Sequence, residues 1–576
     1  MLAEPAASGS GWRSPALQNA LAQAPSWLLL LMTGLLLLGI VLPVASLLIQ
    51  SAWETEGQTV GLGHYRAFFA QAHVGALIGR SVGLAAAAAT VSVGLAYGFA
   101  YALTLSAMPG KALFRGLALL PLMAPSLLMA LSLVVLFGNQ GLLRDLWQAV
   151  LGDTPFYGEA GMLLGAVIWT FPHALMMLTT TLSQMDGRLF EAAQTLGASS
   201  ARQFWTITLP ASRYGLMLAW MVVFVLVLTD FGVPKVLGGQ DAVLATELYK
   251  QVIGQQNFRL GAVVAVLLLL PALLASAVEA HLRRRQGAAL TLRATPHQPK
   301  AVAWRDAALW LYCALLCSLL LGTLLAAGLA ALANFWPYDL SLSLRHFDFD
   351  NTDGGGWATF ANSLQLAVWT AVVGTGCAFV TAWLVAKPRG FEAARQTLNM
   401  MAMLPLAIPG LALGLGYILF FNPPWQPLRG LYGGMAILVL CTVAHYFSVA
   451  HLTLLTALRQ LDPEYEWVGE SLGASSCQTA WAVHLPACSP ALLEVAGFFF
   501  VSALTTVSAV VFLYGPETGL ASVAVLNMDD AGDMAPAAAM AMLIFMTAAA
   551  GRALLGAAAA WSRRHTSAWR TQQEAL

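Results

Sequence analysis

Charge is scarce in this chain. Only 10% of its 576 residues are Asp, Glu, Lys or Arg, and the formal net charge is zero; an ordinary soluble domain carries about 25% charged residues. That poverty of charge excludes a water-soluble globular protein of this length, and the missing basic excess argues against a nucleic-acid partner. Strand-like alternation is also missing from the apolar stretches, which are rich in Leu and Ala. Cysteine is sparse, at positions 313, 317, 377, 441, 477 and 488. Cys313 and Cys317 are one helical turn apart with no His or carboxylate beside them, so all six read as small buried hydrophobes and not as metal ligands or disulfide partners. No GxxxxGK[ST] phosphate loop occurs; its nearest fragment, PGKAL at 109–113, lacks the upstream Gly and the Ser or Thr. The chain is therefore expected to bind no cofactor and to hydrolyse no ATP itself.

What is abundant is apolar sequence, 59% of the residues. Runs such as WLLLLMTGLLLLGIVLPVASLLI (27–49) and GAVVAVLLLLPALLASAV (261–278) are close to the ~20 residues a membrane-spanning helix needs. Twelve such spans are expected, near 27–51, 81–106, 116–138, 161–183, 213–231, 259–280, 307–333, 362–386, 398–421, 433–457, 491–512 and 535–560. In lipid a helix satisfies its own backbone polar groups, so the fold class is an all-α polytopic membrane protein. The first run lacks a small-residue cleavage site and reads as an uncleaved first helix. Lys and Arg concentrate in the segments that lie inside when both termini are cytoplasmic. The densest is HLRRRQGAALTLRATPHQPKAVAWRD (281–306), whereas the opposite loops carry Asp348, Asp350, Asp353, Asp529, Asp530 and Asp533. The expected location is a bacterial cytoplasmic membrane.

The chain repeats itself. LGASS occurs at 196–200 and again at 472–476, each followed by LP, at 209–210 and 485–486. Gly197 and Gly473 stand 276 residues apart, as do Pro210 and Pro486. RSVGLA (80–85) is echoed by NSLQLA (362–367), LPLMAPS (120–126) by LPLAIPG (404–410), and LTD (228–230) by LTT (504–506). Two six-helix halves in the same orientation follow: a first domain at 1–290, a linker at 291–306 and a second domain at 307–576.

The repeated loops, 185–210 and 461–486, have a physical logic. Leu189, Phe190, Ala192, Ala193 and Leu196 form a short helix with a small-residue face. Gly197 can end it in the left-handed conformation, and Ser199 or Ser200 can cap the next short helix. The expected product is two short helices joined by a bend, used twice as a docking element for a two-lobed partner. Glu191, Ala192, Ala193, then Gly197, Ile207, Leu209 and Pro210 resemble the EAA motif of binding-protein-dependent ABC importer permeases. In the second copy Gly473, Leu485 and Pro486 match, Val483 replaces the Ile, Gly469 stands at the second Ala, and Glu466 lies one place before the expected Glu. The resemblance implies the type I permease fold and two separate ATPase subunits, a homodimer, which use ATP and Mg and grip one loop each. It also implies an external solute-binding protein. The second loop, having drifted, is expected to matter less than the first.

Pathway candidates are few. Asp230 ends the fifth span and Thr506 takes its place in the second half, while Pro125 and Pro409, with Pro121 and Pro405, are expected to bend equivalent helices. His173, His445 and His451 are expected to make helix–helix hydrogen bonds, and Glu494 to face a loop. The segment TDFGVPKVLGGQDAVLATELYKQVIGQQNF (229–258) resembles 2-aminoethylphosphonate permeases, with Lys235 and Lys250 suited to an anion. Ferric iron is the alternative solute, with thiamine and polyamines behind it. A secondary transporter driven by an ion gradient is the alternative of another class; embedded carboxylates for proton coupling are scarce.

Overall fold

The computed structural model describes residues 15–54, 59–289, 299–388 and 390–566; the first half of the expected linker, 291–298, lies outside them. Nine helices among these residues are long and apolar enough to cross a membrane, or twelve if three sharply bent pairs each count as one span. The first half contributes Pro25–Ala52, Val74–Leu105, the pair Lys111–Met123 and Ser126–Phe137, Glu159–Ser183, Ser200–Thr229 and Phe258–Val278. The second contributes Ala303–Leu332, Gly356–Ala386, the pair Glu392–Ala407 and Gly410–Phe421, Met435–Arg459, the pair Ser476–Ala487 and Ser489–Thr505, and Met534–His565. A short antiparallel hairpin follows the first span of each half, pairing Trp53–Glu54 with Thr59–Val60 and Ala333–Phe335 with Asp339–Leu342.

Small residues bring the spans together. The second span buries Ala85, Ala88, Ala89, Ala96 and Ala100, and Thr170 of the fourth span donates to Ser92 across the seam at 3.1 Å. Close approach of this kind, with hydroxyls as polar bridges, holds helices together where lipid supplies no hydrophobic drive. Each half lends its first span to the other. Tyr417, fully buried, donates to the Gly39 carbonyl at 2.7 Å, and a Cβ on Gly416 would press on the Pro43 backbone. Reciprocally, Tyr312 of the seventh span donates to the Leu95 carbonyl at 2.8 Å.

Three expectations need correction. The third and ninth spans are broken, not bent: their segments turn by 104° and 115°. The cause is local. Ala124 and Ile408 are extended, at ψ 137° and 115°, as a following proline requires, so no helix passes Pro125 or Pro409. The eleventh span stops at Thr505, and 506–513 is a turn. The second short helix of the first loop is not separate: a π turn at Phe204–Thr208 carries it straight into the fifth span. The matching π turn at Ala480–His484 is followed by a 74° bend before Ser489, where Pro490 stands opposite Tyr214 of the first copy.

Candidate functional site: two helical hairpins at one end of the bundle

The repeated loops fold alike. In the first, Gly187–Thr195 is helical, Asp186 caps it by accepting from the Arg188 amide, and Gly197 turns the chain at φ +74°. Ser199 then accepts from the Arg202 amide to cap the next helix. In the second, Glu464–Ser471 leads to Gly473 at φ +67°, and Ser475 accepts from the Gln478 amide. The two hairpins therefore share one geometry, each standing at the start of a fifth-position span.

Their surfaces divide the expected residues into two sets. Glu191, Ala192 and Gly197 are exposed and Ala193 half-buried; Ile207 and Leu209 are half-buried and Pro210 exposed, as are their counterparts Val483, Leu485 and Pro486. Glu466 and Gly469 differ from expectation. Gly469 is buried, and a Cβ there would lie 2.7 Å from Thr479 Oγ1, so the close approach it permits is within its own hairpin. Glu466 turns inward and pairs with Lys387 at 2.7 Å and with His484 at 3.1 Å. It falls at the place of the buried Phe190, not of Glu191.

Four further residues, assigned in the sequence only to the hairpin helices or the repeat, stand out on the surface. Leu196 and Trp205 are 86% and 66% exposed; Leu472 and Trp481, 276 residues on, are 80% and 77% exposed. Large apolar side chains kept at matching positions in two diverged copies, yet left uncovered, mark a surface that something else covers. The signal in the sequence was their identity at a fixed offset.

The pathway candidates lie at the other end of the fifth-position spans, ~30 Å away for a helix of about twenty residues. Asp230 closes the fifth span, and its Oδ2 accepts from the Val233 amide at 3.0 Å, with Ser126 as a further hydrogen-bond partner. Thr506 closes the eleventh span, and its carbonyl accepts from Ser522 at 2.6 Å. In each half the proline break meets this span end. A Cβ on Gly232 would strike Ser126, and one on Gly410 would strike Ser508. The two halves thus use the same Gly–Ser contact with the partners exchanged. Between the halves, the rings of Tyr249 and Phe512 stack at 6.1 Å, and Lys235 pairs with Asp530 at 2.8 Å. Beside this pair, burial and the neighbouring Asp530 charge raise Asp529 to about 6. Of the three histidines, His451 bonds Asn399 at 3.0 Å. Glu494 pairs with Arg563.

Comparison with known proteins agrees with this geometry. Residues 92–287 and 374–564 both match the family described as binding-protein-dependent transport system inner membrane component. The chain is 25% identical over 442 residues to the ferric transport system permease protein of Actinobacillus pleuropneumoniae, covering 74% of this chain and 63% of that protein. It is 25% identical over 410 residues to a putative ferric transport system permease protein of Haemophilus influenzae, covering 70% and 64%. It is 33% identical over 124 residues to the molybdenum transport system permease protein of Escherichia coli, covering 22% of this chain and 54% of that one. The chain thus spans under two thirds of the length of the two ferric relatives.

Proposed function

The chain belongs to the binding-protein-dependent transport system inner membrane component family, and from that premise we propose that it is the fused permease of an ATP-driven importer of ferric iron. The observation that carries the coupling role is the pair of like-capped hairpins with exposed apolar tips, Leu196 and Trp205 on one and Leu472 and Trp481 on the other. Under this reading each hairpin seats in one subunit of an ATPase homodimer on the cytoplasmic side. Both chain termini then share that side. Glu191, Ala192, Gly197 and Pro210 flank the first contact, and Gly473, Leu485 and Pro486 the second. Approach of the two ATPase subunits draws the hairpins together. The motion reaches the opposite end through the fifth-position spans and opens the Tyr249–Phe512 and Lys235–Asp530 contacts toward the solute-binding protein.

Ferric iron is favoured because two relatives that align with most of this chain carry ferric transport in their names. The sequence of 229–258 supports 2-aminoethylphosphonate as the second reading. Lys235, one of the two lysines offered for an anion, is already engaged by Asp530, which weakens that case. The test is uptake by vesicles holding this chain, its ATPase and its solute-binding protein. Ferric iron should accumulate with ATP and 2-aminoethylphosphonate should not. Accumulation on a proton or sodium gradient without the ATPase would overturn the proposal, and phosphonate uptake in place of iron would overturn its choice of solute.

A further inference from the structure

The two hairpins are alike outside and wired differently inside. Three positions behind the first hairpin are Leu105, which ends the second span, Phe190 and Thr208; all are buried, and all border a cleft of about 400 Å³. The repeat register carries them to Lys387, Glu466 and His484. The first follows the 282-residue offset of RSVGLA and NSLQLA, and the others follow the 276-residue offset of the hairpins. At the second set of positions all three groups are charged or titratable. Glu466 Oε1 lies 2.7 Å from Lys387 Nζ, as an ion pair, and 3.1 Å from His484 Nε2, while Lys387 also reaches the Leu461 carbonyl at 3.4 Å. The Lys387 and His484 side chains are 9% and 2% exposed. Two apolar side chains and a threonine beside an open cleft have been exchanged for a Lys–Glu ion pair and a histidine.

We propose that Lys387, Glu466 and His484 form a clasp that makes the second hairpin move as one body with the ends of the eighth and eleventh spans. The first hairpin, whose matching positions Leu105, Phe190 and Thr208 cannot form an ion pair, moves more freely. One carboxylate joins three elements: the C-terminus of Gly356–Ala386, the helix Glu464–Ser471 and the π turn Ala480–His484. Lys387 also suits the negative end of the helix it follows. A largely buried ion pair resists separation because parting it strands a charge away from water. The clasp fixes hairpin to span immediately ahead of the 74° bend, where continuity of helix cannot transmit the motion. These are positioning residues for coupling, and they touch no solute.

The proposal rests on the docking reading only for its second readout. The first uses the permease alone in lipid nanodiscs, by hydrogen exchange of segments 464–487 and 188–211. In the unaltered protein the second hairpin should exchange more slowly. Glu466→Gln should speed its exchange about tenfold or more, as loss of a buried charge partner implies, and leave the first hairpin unchanged. The triple change Lys387→Leu, Glu466→Phe, His484→Thr, which copies the first half, should give a folded protein whose second hairpin exchanges like the first. In the complete complex both variants should hydrolyse more ATP per ferric ion taken up. Equal exchange of the two hairpins in the unaltered protein, or no change in Glu466→Gln, would overturn the clasp. Normal coupling in both variants, with the unaltered complex active, would overturn its role in transport and leave the docking reading standing.

Discussion

Gly197 and Gly473 offer a test in which backbone conformation and side-chain contact can be separated. Both sit in the left-handed region, at φ +74° and +67°, and a Cβ on either would meet nothing within 4 Å. Within this chain, then, the cost of a substitution is conformational alone. For an ordinary residue it is roughly 1–2 kcal/mol, more for a β-branched one and less for Asn, whose short polar side chain tolerates this region. That cost lowers the population of the correctly bent hairpin by about 5- to 30-fold relative to competing conformations. Gly197→Val should therefore cut ATPase stimulation by the solute-binding protein about tenfold, Gly197→Ala less, and Gly197→Asn least. The φ values being alike, Gly473→Val should do comparable damage. This departs from the milder effect expected on sequence grounds, because drift at Glu466 and Gly469 has not altered the turn. The assay is ATP hydrolysis and iron uptake by the reconstituted complex, with membrane abundance measured for each variant. If Asn is as harmful as Val at either position, the glycine is needed for a contact with the ATPase and the conformational argument fails.

Further outcomes follow from the exposed and ionic features. Trp205→Ala and Trp481→Ala remove side chains that are 66% and 77% exposed, so each should weaken ATPase binding, the pair together more than either, with permease melting unchanged; a drop in melting temperature instead would mean the rings pack within the chain. Lys235→Met or Asp530→Asn breaks a half-exposed pair between the halves worth about 0.2–1 kcal/mol, and should raise ATP hydrolysis without binding protein by up to about fivefold; the charge-exchanged double variant should reverse this, as measured by basal hydrolysis. Asp529 is held at about 6 by burial and by Asp530, against roughly 3.9 in an unfolded chain. The folded state thus binds the extra proton, and its stability falls as pH rises from about 4 to about 6. Asp529→Asn should raise the melting temperature above pH 6 and confer no gain below about pH 4; a gain independent of pH would exclude the titration of Asp529 as its source.

The helices were legible because the membrane makes composition decisive, and long apolar runs have one economical backbone solution. The hairpins were legible because Gly, Ser and the following Leu-Pro each impose a local conformation. The breaks at Pro125 and Pro409 were half legible. Proline positions were plain, but the effect falls on Ala124 and Ile408, and a bend and a break differ by the conformation of that one preceding residue. The inward turn of Glu466 was within reach. One residue of displacement rotates a side chain by ~100° about a helix, which takes a surface Glu into the place of Phe190. The exchange of first spans was not legible at all. Tyr417 finds Gly39 across 378 residues, and no local pattern encodes a contact between two apolar helices so far apart.

The two halves show where a duplicated permease is free to change. Inside, residues have changed in compensating sets: Ser126 with Gly232 against Gly410 with Ser508, and Leu105, Phe190 and Thr208 against Lys387, Glu466 and His484. Each set is complementary within its own half, and mixing members between halves would leave two glycines facing each other or a charge facing Phe. At the hairpin tips the opposite holds, for Leu196 and Trp205 recur unchanged as Leu472 and Trp481 although all four are largely exposed. Interior contacts answer only to one another and can be replaced together. A surface that meets two identical subunits answers to a partner that presents the same groove twice, and neither copy can change alone without losing its fit. Identity at these four exposed positions is the pattern that two like docking grooves would impose, while the neighbouring exposed Glu191 and Ala192 give way to Trp467 and Val468 and answer to no such constraint.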